Sequence, residues 1–391
     1  MRKILSIIVL LAMSLNGIAT RVYSFTAIAD NLGLSSNCVK TILRDSYDFM
    51  WFGTKNGLDR YDGRTLRHYN CYDHKLKRGN NNIGALYEDA DKNLWVGTDR
   101  GVYKFSPRTE TFTYIDTRSK DGISADDWVQ EICGDKNGNI WVLIPNQGLF
   151  CFNGGKVDFF RITSGKGDKG WTPASVTATE EGDVYVGTTK EGLFRFDNAS
   201  HHFKPIVKQD QTFDHIQGQT IQMMREYGHG KLLLATETGE LYRFNPRTLD
   251  IRPVAFGMAG NIFLRCMLAS EDEIWVGTHN GIYIINEADR TERYLSVTSP
   301  DVNGLTDNVI YTMYMDGDHN IWLGTMFGGV SFYQRDGFAF ERFLRGGSPN
   351  VLSSNRIRGM AQGVDSKIYI GTEDGGMNIF DPVTVIIKFT N

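Results

Sequence analysis

The segment DGDHNIWLGTMFGG, residues 316–329, decides how this chain is read. It joins an acidic turn to a tryptophan and then to a Gly-Thr pair followed by more glycine. Nearly the same phrase stands earlier, as DKNGNIWVLIPNQG from Asp135 and DADKNLWVGTDRG from Asp89. With the aromatic of the phrase as anchor, the chain offers Trp51, Trp95, Trp141, Tyr185, Leu233, Trp275, Trp322 and Tyr369, at spacings of 44, 46, 44, 48, 42, 47 and 47 residues. A period in the forties, with short β-type segments and no 3.6-residue apolar periodicity, is the pattern of propeller blades and not of helical repeats. In the unit around Trp322 four strands are predicted, Val309 to Met315, Asn320 to Gly324, Gly329 to Tyr333 and Phe338 to Phe343, as a four-stranded antiparallel blade requires.

Each part of the phrase has a physical role in such a blade. Asp45, Asp89, Asp135 and Asp316 stand six residues before their tryptophans, where a short carboxylate can accept the backbone N–H groups of a tight turn. Gly53, Gly97, Gly187, Gly277, Gly324 and Gly371 follow the aromatic by two residues, where the missing side chain allows blades to pack closely or the strand to bulge. The aromatic itself is expected in the wedge between neighbouring blades, contributing on the order of 2 to 3 kcal/mol. One blade cannot cover its own faces, so similar units stand around an axis and bury each other.

Composition narrows the classes of function. With 391 residues, 41% hydrophobic and 23% charged, the chain can bury a large core. A net charge of −4 and the lack of any long Lys/Arg run argue against nucleic acid as a partner. Arg2 and Lys3 precede a short apolar run that ends in small residues near Ala19 or Ser24, the form of a secretory signal, which predicts residues 1–24 as a leader and a periplasmic mature protein. An uncleaved anchor is the alternative, though the run is short for a membrane span. The five cysteines, Cys38, Cys71, Cys133, Cys151 and Cys266, include no CxxC pair, so neither a zinc site nor a disulfide framework is predicted.

The units resemble the regulator-propeller repeat, whose pattern is D-x-x-G-x-[IL]-W-x-G-T-x-x-G-[GL]. DHNIWLGTMFGGVSFY and DKNLWVGTDRGVYKF follow it closely; GKLLLATETGELYRF, around Leu233, departs at both aromatic and glycine. That resemblance covers nearly the whole mature chain. It implies an all-β fold and the extracytoplasmic sensor region of a hybrid two-component histidine kinase, in which two propellers precede a Tyr-rich β domain, a membrane helix and a kinase.

Ser24 to Val39 has the same shape as Phe338 to Ile357, each an aromatic strand, a loop and Leu-Ser-Ser-Asn before an inner strand. Phe25 to Ala29 is therefore predicted to complete the blade of Trp322, closing a seven-bladed propeller over residues 25–337. Residues 338–391 would be the first blade of an incomplete second propeller. A single eight-bladed ring is the alternative.

No catalytic motif, cofactor signature or metal site is predicted. The eight histidines are scattered, and DGDHN and DADKN lack the Gly and Glu of a calcium loop. Fourteen residues before each anchor stand Asn37, Asn81, Asp127, Trp171, Gln219, Asn261, Asn308 and Asn355, read either as loop braces or as a polar rim for sugar hydroxyls. Trp171, with Trp128 beside Asp127, could stack on a sugar ring or simply pack under a long loop. Ten residues before the anchors, mostly small side chains give way to Glu131 and Arg265, expected to meet across an axial channel, to touch a ligand, or to form an ordinary ion pair. Asp127, Trp128, Glu131, Trp171 and Arg265 are thus the candidate ligand residues. The expected function is sensing of an oligosaccharide or other small ligand. A propeller lyase or glycoside hydrolase, resting on Asp126, Asp127 and Glu131, and a protein-interaction scaffold are the alternatives.

Overall fold

The computed structural model describes residues 23–28, 33–118, 122–124, 126–145, 147–160, 162–163, 170–207, 216–254, 263–270, 273–299, 302–335, 351–382, 384 and 386–390, without the side chains of 162–163, 170–171 and 390. The leader, Ala29, Asn261 and the strand expected over residues 338–343 lie outside the described residues. The chain divides into two units, Met1–Asp336 and Gly337–Asn391.

The first unit is a seven-bladed β-propeller. Blade 1 runs Val39–Arg44, Met50–Thr54, Gly57–Tyr61 and Leu66–Tyr69, in sheet order from the inner strand outward. The inner strands of blades 2 to 7 are Ile83–Glu88, Glu131–Gly134, Pro173–Ala178, Ile221–Glu226, Leu264–Ala269 and Ile310–Met315. Blades 2 to 6 are four-stranded and antiparallel like blade 1. Each inner strand lies against the next, and that of blade 7 returns to that of blade 1. The ring therefore closes after seven sheets, and the eight-bladed alternative fails.

Closure uses the expected segment. Tyr23–Ala27 pairs antiparallel with Val330–Tyr333, the third strand of blade 7, in the register Phe25 to Tyr333, Thr26 to Phe332 and Ala27 to Ser331. Val302–Asn303 adds a short parallel pairing on Tyr23 and Ser24. Tyr23 and Phe25 are buried, and the Tyr23 ring meets those of Trp275 and Tyr333 at 6.0 and 5.5 Å.

The anchors occupy equivalent places. All eight lie in the second strand of a blade, and the seven in the ring each sit in a different apolar cluster, one for every blade interface. Trp51 packs between blades 1 and 2 against Tyr69 and Phe105, and Trp322 between blades 7 and 1 against Phe52. Covered on both faces, second strands such as MWFGT and LWVGT are buried at every residue, which is why they read as continuous apolar runs without polar alternation.

The turn before each anchor is a bracket. Asp316 accepts the N–H groups of Asp318 and Asn320 on Oδ1, and the Trp322 indole N–H on Oδ2 at 3.0 Å. Asp45, Asp89 and Asp135 hold Trp51, Trp95 and Trp141 in the same way at 2.6, 2.9 and 3.0 Å. The turn prediction holds, and the indole bond was not part of it. DGDHN and DADKN are such turns.

Glycine after the anchor marks the place where the next blade presses in. A Cβ on Gly53 would stand 2.7 Å from Ile83 of blade 2, and one on Gly324 would stand 2.9 Å from Val39 of blade 1. The second unit holds a sheet of its own, Ile357–Gln362, Ile368–Thr372, Met377–Asp381 and Ile386–Thr390. There a Cβ on Gly371 would meet nothing nearer than the Gly359 carbonyl at 3.8 Å. Leu-Ser-Ser-Asn is braced alike in both units: Asp59 accepts the Ser35 N–H at 3.0 Å, and Asn378 accepts the Ser353 N–H at 3.0 Å.

Candidate functional site

The seven inner strands surround an axial cavity of about 570 Å³. At one end, the turn face, are the Asp brackets. At the other, the loop face, the inner strands begin, and Lys40, Gly84, Gln130, Gln222, Arg265 and Tyr311 line the cavity mouth.

The position fourteen residues before each anchor is a brace joining neighbouring blades. The carbonyls of Asn37, Asn81, Asp127 and Asn308 accept the N–H groups of Gly329, Gly57, Gly101 and Gly281, each the glycine that opens or immediately precedes the third strand of the preceding blade. The Asn81 side chain accepts the Cys71 N–H at 2.8 Å, and that of Asn308 the Val297 N–H at 2.8 Å. These amides are therefore engaged in loop bracing. The threonine of Gly-Thr completes the joint from within its blade: Thr54, Thr98, Thr278 and Thr325 donate to the carbonyls of Gly57, Gly101, Gly281 and Gly329. The threonine was not singled out in the sequence, although it recurs one residue after the glycine.

Glu131 and Arg265 do not pair. Glu131 faces blade 4, where it accepts the Val176 N–H at 2.8 Å, and its ion-pair partner is Arg225 of blade 5 at 3.2 Å. Arg265 is not even at the equivalent strand position. In blade 6 the turn is one residue shorter, so Ala269 pairs with Ile274 whereas Arg44 pairs with Met50. Cys266, not Arg265, thus faces the anchor-plus-two glycine, as Thr41 does in blade 1. Arg265 corresponds instead to Lys40, Gln130, Gln222 and Tyr311, all of which line the cavity. The signal was present in the sequence, since blade 6 has no Asp six residues before Trp275. Ser270 and Glu273 take over that role, with Glu273 accepting the Trp275 indole N–H at 3.2 Å.

At the mouth Arg265 lies 4.4 Å from the ring centre of Tyr311 and 5.5 Å from that of exposed Phe263. His279 is beside it, with Nδ1 3.4 Å from the guanidinium Nε. Partial burial, and then the Arg265 charge, lower the His279 pKa from 6.5, which favours the neutral imidazole. Lys40 donates to the Asn82 side-chain oxygen at 2.7 Å, and Gln130 to the Ala174 carbonyl at 2.8 Å.

Trp128 is 48% exposed, and its indole nitrogen would stand 3.6 Å from a Cβ on cavity-lining Gly84. Asp127 accepts the Trp128 N–H at 2.7 Å and the Gln147 amide at 3.3 Å. Asp126 is paired with Arg78. The three carboxylates Asp126, Asp127 and Glu131 are therefore held by separate partners. Trp171 falls in a two-residue strand paired with Ile162, and its side chain is not among those described. Among the described residues no three His, Cys, Asp or Glu side chains gather as a metal site.

Residues 33–56, 77–100 and 304–327 match the family described as two component regulator propeller. Three of the seven blades thus carry a segment that matches this repeat. Each match runs from the loop-face connection through the inner and second strands of blade 1, 2 or 7. No curated protein matches the chain. Among solved structures, this chain is similar to the extracellular domain of a hybrid two-component system protein of B. thetaiotaomicron, with a TM-score of 0.69 and 20% identity over 94% of this chain and 49% of that one. A second extracellular domain from B. thetaiotaomicron, of a one-component system, gives 0.63 and 22% over 94% and 54%. This chain spans about half the length of both. The β-propeller domain of Myceliophteria thermophila Cps50 gives 0.59 at 11% identity, over 79% and 99%.

Proposed function

We propose that this regulator propeller is the ligand-recognising part of an extracytoplasmic sensor, that it lies in the periplasm behind a cleaved leader, and that it reads an oligosaccharide or other small ligand at the loop-face mouth of its channel. In this reading the sheet of residues 357–390 begins a second propeller, and the signal passes onward to a membrane-spanning kinase. The carrying observation is the mouth itself, where half-exposed Trp128 flanks a cavity lined by Lys40, Gln130, Gln222, Arg265 and Tyr311. A flat ring for stacking beside amide and cationic donors suits a polyhydroxylated ligand. The repeat match supports the sensing role, and both extracellular domains support the compartment as an analogy of fold.

Calorimetric titration of the purified chain with neutral and acidic oligosaccharides tests the reading. Trp128→Ala is expected to weaken binding about three- to tenfold and to leave the thermal midpoint in place, because the ring is half exposed. Binding unchanged in Trp128→Ala would remove the mouth as the recognition surface, and turnover of a glycan that Asp127→Asn abolishes would replace sensing with catalysis.

A further inference from the structure

Two cations at the mouth, Lys40 and Arg265, meet no carboxylate among the described residues, in a chain whose net charge is −4. Arg265 is held by the faces of Tyr311 and Phe263 and by a His279 nitrogen, all neutral groups. Lys40 is held by an amide oxygen. The carboxylates near the mouth are engaged elsewhere. Asp307 accepts the N–H groups of Val309 and Phe327, Glu131 binds Val176 and Arg225, and Asp99 is bonded by Asn82.

Such an arrangement has an electrostatic consequence. Lys40, Arg225 and Arg265 line the cavity against Glu131 and Glu226, which leaves the lining net positive, and Glu131 is already paired with Arg225; the field of the other two cations is screened less between protein walls than at an open surface. The Cys38 thiol, raised by its burial, feels the lowering influence of Lys40, Lys55 and Arg265 together, so the three cations act on the same spot. His279 takes the Nε and Nη2 edge of the guanidinium, which leaves the Nη1 N–H groups to donate to an oxygen of a carboxylate, sulfate or phosphate. The neutral His279 imidazole keeps Arg265 oriented without competing for the anion's charge.

We propose that the loop-face mouth of the channel is an oxyanion site, in which Arg265 grips and Lys40 neutralises a carboxylate, sulfate or phosphate group of the ligand. This rests on the reading of the chain as a ligand sensor and narrows it from sugars in general to acidic ones or to a free oxyanion.

The test is titration of the full chain with glucuronate, inorganic sulfate and glucose, repeated with Arg265→Gln, Arg265→Lys and Lys40→Gln. At least one of the two anions is expected to bind and glucose not to displace it. Arg265→Gln should weaken the anion about tenfold or more, Arg265→Lys should recover part of that loss, and added salt should weaken binding in the wild type more than in Lys40→Gln. Binding of glucuronate without sulfate would assign the anion to an acidic sugar, and equal binding of both would assign it to a free oxyanion; each supports the site. Anion binding that is unchanged in Arg265→Gln, or absent from the wild type, overturns it. If a neutral oligosaccharide then binds regardless of Arg265, the sensor reading survives without the oxyanion site. If sulfate alone binds, the oxyanion site stands without a sugar ligand, and if neither an anion nor any sugar binds, both fall.

Discussion

At the scale of single residues, the Asp–Trp bracket was half legible. The turn follows from an aspartate five residues before the next strand begins, a pattern that side-chain chemistry explains. The bond to the indole N–H requires the tryptophan to lie back over its own turn, and only the packed blade shows that. Burial alone would raise the Asp316 carboxyl, but the Trp322 indole, the Asn320 N–H groups and the Asp318 N–H outweigh it and bring the pKa below 3.8. The bracket's contribution is therefore complete above pH 3.8 and is withdrawn as pH falls through the lowered value. Asp316→Ala is expected to cost about 1 to 3 kcal/mol in urea unfolding at neutral pH, through the indole and backbone N–H groups left without an acceptor. The difference between variant and wild type should shrink on acidification below that value. A difference that is the same at both pH values would show that the ionised carboxylate is not what holds the turn.

At the scale of the element, the second strands were the most legible part of the chain and the inner strands the least. Second strands are buried on both faces, so their apolar runs and their glycine survive as fixed spacings in the sequence. Inner strands alternate between two neighbouring blades and a channel, and the assignment of a side chain to one of these depends on counting from the turn. A turn one residue shorter, at Ser270 to Glu273, was enough to move Arg265 from one series to another and to hide its likeness to Lys40 and Tyr311. Arg225, the true partner of Glu131, lies two residues beyond the position considered and reaches past blade 4 to meet it. Glycine offers a direct comparison of strands with and without a pressing neighbour. Gly324→Ala would place its Cβ 2.6 Å from Thr312 and 2.9 Å from Val39, and should cost about 1 to 3 kcal/mol. Gly371→Ala, with nothing nearer than 3.8 Å, should be neutral or slightly stabilising. Equal effects of the two in chemical denaturation would contradict the tight packing of blade 7 on blade 1.

At the scale of the whole molecule, the repeat predicted the architecture because each blade carries its own copy of the packing instructions. The blade number was legible only through the likeness of Ser24 to Val39 with Phe338 to Ile357, which predicted that the first copy closes the ring. The ring makes that likeness physical: the first strand of the described residues supplies the outer position of the last blade, and the seven interfaces then form a cycle without a free end. Stability of such a cycle is shared among interfaces, so opening one of them weakens both blades that it joined. The ligand, by contrast, was not legible: Asn37, Asn81, Asp127 and Asn308 of the rim series form joints between blades through their backbone carbonyls. What remains at the mouth is a smaller and more charged set of side chains than the sequence suggested.

The closing strand puts the central claim at risk most directly. Chemical denaturation of the chain beginning at Tyr23 is to be compared with that of one beginning at Ile28, which lacks the strand and its two buried rings. The account expects the shorter chain to lose at least about 3 kcal/mol, or to fail to fold, as removal of large buried aromatics from a core requires. A loss below about 1 kcal/mol, with the cooperativity of unfolding retained, would show that the ring is not closed by its N-terminal strand.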